Sequence, residues 1–344
     1  MRRHFLPLLL ILLSASARAQ ELPSAQLAKV KDATVYVKYV AFRGLAMGSG
    51  YIFRRDGDTA WILTCDHVVK ESDTVTVVFQ SGRAGEKSLE AQVVARDKER
   101  DLACLRVSGE GLPAAIELSM KTEVRETESV FASGYPFGQT LATAGDNPGV
   151  AVTKVSVTSV RRDEAGEVSV VQLSGDVNPG NSGGPVVDAK GRLVGIATSR
   201  IQGTETIFVV PPEALRGFVK GRITKVACAP GAVAGGKAPV AVTVTVFDPM
   251  GKLQTSGCAW VRRDALREAP AADADGKWKA ATASMKDVPL KLDPATGLAT
   301  GTFEVARGGG GDVEVLVQAW CVAADGTKAW TAPEICTAKF GDGR

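Results

Sequence analysis

From residue 20 to about residue 215 the chain alternates short apolar, β-branched runs with glycine-rich or charged turns. Residues 34–40 form the first run. Gly48-Ser49-Gly50 then leads into Tyr51-Ile52-Phe53, and Trp61-Ile62-Leu63-Thr64 follows an Asp-Gly-Asp turn. Residues 75–79, 91–95, 103–107 and 130–132 repeat the pattern. Over 150–160, Val152, Val155, Val157 and Val160 interleave with threonine, lysine and serine, the pattern of a half-buried strand. Runs at 168–173, 185–187, 193–197 and 207–210 complete the set. Strands spaced this closely, with turn signals between them, predict an all-β barrel or sandwich. Pro211-Pro212-Glu213-Ala214-Leu215 predicts the entry to a short helix, with proline in the first turn.

The pattern lapses over 223–238, where ACAPGAVAGGKAP is small and glycine-rich, as expected of a linker. Alternation returns from Pro239. Val240, Val242, Val244 and Val246 make a period-2 stripe, and 302–305 and 313–322 read as further strands. The expected division is a first β-domain over 20–222 and a small second one over 239–344, of a size that suits an immunoglobulin-like sandwich.

Composition sharpens this picture. The 344 residues are 45% hydrophobic and 23% charged, ordinary globular values at a length that suggests two domains. Residues 1–19 read as a signal peptide: Arg2 and Arg3 precede an apolar stretch over 5–13, and Ala17-Arg18-Ala19 offers a cleavage site. That predicts export to the periplasm or beyond. The apolar stretch is shorter than the roughly 20 residues a spanning helix needs, so no stable membrane insertion is expected. Without Arg2, Arg3 and Arg18 the 41 Lys and Arg fall to 38, equal to the 38 Asp and Glu. A neutral mature chain gives no reason to expect a nucleic-acid partner. All six cysteines lie beyond the leader, which favours disulfides in an exported protein. They form no CxxC pair and only His67 remains beside them, which disfavours a structural zinc.

The stretch GDVNPGNSGGPVVD, residues 175–188, carries the candidate chemistry. Ser182 stands among glycines and prolines directly before an apolar run. A serine hydroxyl is a poor nucleophile unless a base takes its proton and an acid orients that base. With the leader removed, His67 is the one imidazole available, at the end of the WILT strand. Three acids compete to orient it. Asp66 is adjacent and would point away in an extended segment. Asp97 sits in a charged turn. Asp101 directly precedes Leu102-Ala103-Cys104-Leu105, where a strand leaves the core, and is the expected acid.

The order His67, Asp101, Ser182, with GNSGGP at the serine, resembles the trypsin-like (chymotrypsin-fold) serine peptidases, and most of all their HtrA/Deg-type bacterial branch. GSGYIF, TCDHVV, RDLACLRV, GYPFG and LVGIATS resemble successive segments of that family over most of residues 34–215. The resemblance implies a double six-stranded β-barrel and an oxyanion hole made by the backbone N–H groups of Gly180 and Ser182. It implies that Thr198 supplies a hydroxyl to the triad acid. It also implies that Thr198, Ser199 and Arg200 form an edge for an extended substrate. Asp176 or Val177 would set the primary specificity pocket. The PDZ domain usual in that branch has no recognisable counterpart here. Cys228–Cys336 and Cys258–Cys321 are the preferred disulfides of the second domain. Cys65 and Cys104 fit either a disulfide or two buried small side chains.

The expected function is that of an exported serine endopeptidase, acting on protein or peptide substrates through an acyl-enzyme with no cofactor. Homo-oligomerisation stays open. The competing expectation is a catalytically silent trypsin-like scaffold acting as a binding or adaptor protein. GNSGG is not the GxSxG elbow of α/β-hydrolases, and the residue order differs from theirs.

Overall fold

The computed structural model describes residues 21–42, 44–142, 147–175, 178–200, 206–268, 270–274, 276–293, 296–308 and 311–340. The leader over 1–19 and the pocket candidates Asp176 and Val177 lie outside these residues. Among the described residues, no helix is long and apolar enough to cross a membrane.

A helix absent from the sequence expectation opens the chain: α1 (Ser24–Ala33), which buries Val30 and Ala33. Its apolar residues follow no strong helical period, so only tertiary packing reveals it. The first barrel contains β1 (Thr34–Ala41), β2 (Gly44–Asp56), β3 (Thr59–Thr64), β4 (Thr74–Phe79), β5 (Lys87–Asp97) and β6 (Leu102–Ser108), closed in the order β1-β2-β3-β6-β5-β4. A single helical turn, α2 (Asp66–Val69), leaves β3. The second barrel contains β7 (Ser129–Gly134), β8 (Ala151–Arg162), β9 (Val168–Ser174), β10 (Pro185–Val187), β11 (Leu193–Arg200) and β12 (Thr206–Val210), closed in the order β10-β11-β12-β9-β8-β7. Closure pairs every strand on both sides and leaves no free edge. The alternation read in the sequence is the inside-outside alternation of these strands. In β8, Val155 and Val157 are buried while Lys154, Ser156 and Thr158 are exposed. Helix α3 (Pro212–Phe218) follows, with proline at its first position and Leu215 and Phe218 buried.

The remaining strands are β13 (Arg222–Pro230), β14 (Lys237–Phe247), β15 (Leu253–Arg262), β16 (Lys286–Val288), β17 (Lys291–Asp293), β18 (Leu298–Ala306), β19 (Val313–Ala323), β20 (Lys328–Trp330) and β21 (Glu334–Ala338). They form a β-sandwich. One sheet runs β13-β14-β18-β17, and the other runs β16-β15-β19-β20, with β21 also pairing β19. The stripe Val240, Val242 and Val244 faces its core, where Trp260 stacks on Phe303 at 4.6 Å. Residues 222–230, read in part as linker, are instead the first strand of this sheet, paired along β14. Small residues carry little pattern of their own, and the ladder with β14 supplies the order.

Phe247 lies out of phase with the valine stripe of β14, so it points away from the sandwich. It is buried in a hydrophobic cluster that joins the first barrel to α3, edge-on to Trp61 and 6.2 Å from Phe218. The Arg222 guanidinium covers its ring at 4.6 Å. Phe247 under its Arg222 lid thereby helps fix the sandwich to the barrel, with Met250 packed against the same cluster.

The disulfides depart in part from expectation. Cys228 in β13 and Cys336 in β21 are bonded across the two sheets, but Cys258 and Cys321 are free. Cys258 lies opposite Ala319, and Cys321 opposite Ser256. The two cysteines are thus diagonal neighbours within one sheet, about 7–8 Å apart, beyond the usual reach of a disulfide. Cys65 and Cys104 are also free and buried.

Candidate active site

The candidate residues meet where the two barrels face each other. His67 follows β3 of the first barrel, in the turn α2. That turn is held from behind: Arg96 donates to Asp66 at 2.9 Å and to the carbonyls of Val69 and Ser72. Asp66 therefore faces Arg96 and not the imidazole. Asp101 occupies the last position before β6 with φ of 54°, a left-handed conformation that a non-glycine residue adopts at a cost. The conformation turns its carboxylate back onto α2. One oxygen accepts the backbone N–H of His67 at 2.9 Å, and the other lies 2.7 Å from His67 Nδ1. Burial alone would raise the pKa of Asp101, but the hydrogen bonds from His67 outweigh it and hold the carboxyl below its ordinary value. Asp97, the third competing acid, is occupied by Arg100.

Ser182 comes from the second barrel, on the loop before β10. The glycines around it are there because backbone comes too close for a side chain. A Cβ on Gly183 would overlap the Ser49 carbonyl oxygen, and Gly183 has φ of +87°. One on Gly180, at φ of +101°, would overlap the Tyr135 carbonyl oxygen. The loop is tied to the first barrel by Ser49. Its N–H donates to the Ser182 carbonyl at 2.9 Å and its hydroxyl to the Gly180 carbonyl at 2.7 Å. In the sequence Ser49 stands only as part of a glycine turn; its fully buried position shows the role. Asn181 is buried beside Gly134, where a side chain on the glycine would strike it.

Two backbone amides are left over by this folding. The Pro179 carbonyl accepts from Phe137 N at 2.7 Å, so the N–H of Gly180, on the other side of that trans peptide, points the opposite way. The Asn181 carbonyl accepts from Gly184 N at 2.9 Å, which turns the Ser182 N–H away in the same sense. Among the described residues neither N–H has an acceptor. Free donors of this kind can bind a developing oxyanion.

Two details differ from the expected arrangement. The Ser182 hydroxyl donates to the Thr198 carbonyl at 3.0 Å, not to the imidazole. The Thr198 hydroxyl, expected on the acid, is instead bonded to the Phe208 carbonyl at 3.3 Å, because β11 turns that side chain toward β12. The side chains of Ser199 and Arg200 lie outside the described set, although both residues belong to β11.

Cys65 is free and buried, as one of its two expected readings has it, and it also lies beside the site. Its position two residues before His67 was the available signal. Cys65, His67 and Asp101 each bring one ligand-type atom within 4.8 Å of the others. Burial, then the Asp101 carboxylate, push the thiol pKa well above its ordinary value.

Residues 48–196 match the family model of the trypsin-like peptidase domain. The chain is 31% identical over 166 residues to Serine protease Do-like HtrB of Bacillus subtilis, covering 47% of this chain and 35% of that protein. It is 37% identical over 153 residues to a probable periplasmic serine endoprotease DegP-like of Ectopseudomonas mendocina, covering 44% of this chain and 29% of that protein. The chain thus spans about a third of the length of these curated relatives. Among solved structures it is similar to the active form of the Rv3671c protease from M. tuberculosis, with 26% identity and a TM-score of 0.45, over 56% of this chain and 82% of that one.

Proposed function

We propose that this chain, which carries a trypsin-like peptidase domain of the HtrA/Do-like type, is an exported serine endopeptidase in which Ser182, His67 and Asp101 act as nucleophile, base and orienting acid. The observation that carries the reading is the doubly hydrogen-bonded His67–Asp101 pair, set against the nucleophile loop of the opposite barrel. Gly183, the residue after Ser182, packs against Thr64 and Cys65, directly before the His67 turn.

In this mechanism Asp101 accepts from Nδ1 and leaves Nε2 of His67 free to take the serine proton. The Ser182 hydroxyl first turns from the Thr198 carbonyl to the imidazole. Attack on a substrate carbonyl then gives a tetrahedral intermediate, whose oxyanion accepts from the Gly180 and Ser182 N–H groups. His67 returns the proton to the departing amine, and water resolves the acyl-enzyme. An extended substrate would pair along residues 198–200, where the Thr198 carbonyl is released as Ser182 turns. Protein substrates and a periplasmic site of action are proposed from the character of the relatives and from the leader-like residues 1–19. Asp176 and Val177 remain the proposed determinants of side-chain preference.

The test uses the chain from Gln20 and its Ser182→Ala variant, each treated with a fluorescent fluorophosphonate and then with an unfolded protein such as reduced casein. Labelling and cleavage by the wild type alone are expected. The Ser182 hydroxyl's bond to the Thr198 carbonyl is the one observation favouring a silent binding scaffold. A folded wild type that neither labels nor cleaves would establish that alternative.

A further inference from the structure

Three donors of different chemistry converge at the base of the site: the Cys65 sulfur, the His67 imidazole and the Asp101 carboxylate, with one atom of each within 4.8 Å of the others. Cys65 is fully buried and takes part in no disulfide. Its thiol donates to the Ala197 carbonyl at 3.5 Å, a bond from a weak donor to a neutral acceptor. The side chains of His67 and Asp101 are 48% and 30% exposed, which gives a small ion an approach from solvent. Sulfur, imidazole nitrogen and carboxylate oxygen together suit Zn2+ and not Mg2+ or Ca2+, which take oxygen alone. Tetrahedral nitrogen and oxygen ligands at the usual zinc distances lie about 3.4 Å apart. His67 Nδ1 and its Asp101 oxygen, 2.7 Å apart around a shared proton, need to separate by about 0.7 Å. The other Asp101 oxygen, held by the His67 backbone N–H at 2.9 Å, is the pivot for that small rotation.

We propose that Cys65, His67 and Asp101 form an inhibitory site for a thiophilic divalent cation, with Zn2+ as the fitting ion. Binding rests on this cluster alone; its effect on catalysis rests on the peptidase reading above. The step releases one proton. The Cys65 thiol gives its proton to water and bonds the metal as thiolate. The proton on Nδ1 moves to Nε2 as Nδ1 bonds the metal, so the imidazole stays neutral. One Asp101 oxygen exchanges the Nδ1 proton for the ion, and the fourth position is left to water. His67 then carries a proton on the atom that has to accept one from Ser182, and the enzyme is silent until the ion leaves. Cys65 is what makes the site: His67 and Asp101 alone offer two ligands, one fewer than a zinc site with an open position needs.

The test titrates Zn2+ into the chain from Gln20 and into its Cys65→Val and Cys65→Ser variants, each scored by fluorophosphonate labelling against its own metal-free rate. Val keeps the bulk without a ligand, and Ser offers oxygen in place of sulfur. Wild-type labelling should fall with Zn2+, return on chelation and be indifferent to Mg2+. The Zn2+ midpoint should rise at least about tenfold in both variants, since losing a direct ligand costs no less than losing an outer-shell partner. Cd2+ titrated into the wild type should give thiolate-to-metal charge-transfer absorption that saturates at one equivalent, and both variants should lack it. An unchanged Zn2+ midpoint in the folded variants would overturn the proposal, since the ion would then be held without Cys65. So would wild-type labelling indifferent to Zn2+. If Val does not fold, Ser decides between these results. A wild type that never reacts with fluorophosphonate would refute the peptidase reading by itself, and the Cd2+ absorption, present or absent, would still decide the metal site.

Discussion

Replacing Asp101 with Asn keeps size and shape and changes only what the two terminal atoms can do. In the wild type both oxygens accept from His67, one from its backbone N–H at 2.9 Å and the other facing Nδ1 at 2.7 Å. The backbone N–H can only donate, so in Asp101→Asn it claims the amide oxygen. The amide NH2 then faces Nδ1, which must become an acceptor. The ring proton moves to Nε2, the atom that has to receive the Ser182 proton. The base is held in place in the wrong tautomer. Such a change in a Ser-His-Asp triad costs about 10⁴-fold in kcat, which corresponds to about 5 kcal/mol of transition-state stabilisation. The loss should exceed that of any single packing change nearby. The assay is kcat and KM on a peptide from a mapped cleavage site, with the fluorophosphonate labelling rate and the melting temperature measured in parallel. A folded Asp101→Asn enzyme within tenfold of the wild-type kcat would refute the assignment of Asp101 as orienting acid.

Two further outcomes test the architecture around the site. Phe247→Ala removes a ring buried between Trp61 and Phe218 and should cost about 3–5 kcal/mol; calorimetry should show separate, lower transitions for barrel and sandwich, and an unchanged single transition would show that Phe247 does not couple them. Gly183→Ala forces a side chain onto the Ser49 carbonyl at a positive φ, and should lose about 2–5 kcal/mol together with probe labelling. Gly217→Ala, in α3 with open space around it, should instead gain up to about 1 kcal/mol, and equal effects from the two would refute the steric account of Gly183.

The sequence by itself determined the strand content, most of the strand positions and the candidate nucleophile. Those follow from local rules. Alternation of valine with polar residues in β8 and β14 needs no partner to be read, and GNSGGP announces backbone that must approach other backbone closely. The preference for Asp101 over Asp66 rested on an extended segment, but Asp66–Val69 is a helical turn, and it is Arg96 that turns Asp66 away from the imidazole. What lay beyond the sequence depended on register and on which face a side chain takes. A two-residue offset between β15 and β19 places Cys258 and Cys321 on a diagonal, while Cys228 and Cys336 meet across the sheets. One step of parity in β14 turns Phe247 out of the sandwich and into the cluster that joins the first barrel to α3. A small-residue stretch becomes a strand because β14 offers it a ladder. At the site itself, the direction of β11 aims the Thr198 hydroxyl at the Phe208 carbonyl and not at the acid. A residue's type and its place in the chain fix what it can donate or accept. Which acceptor it meets is decided by strands that lie far apart in sequence, and their relative position exists only after the barrels have closed.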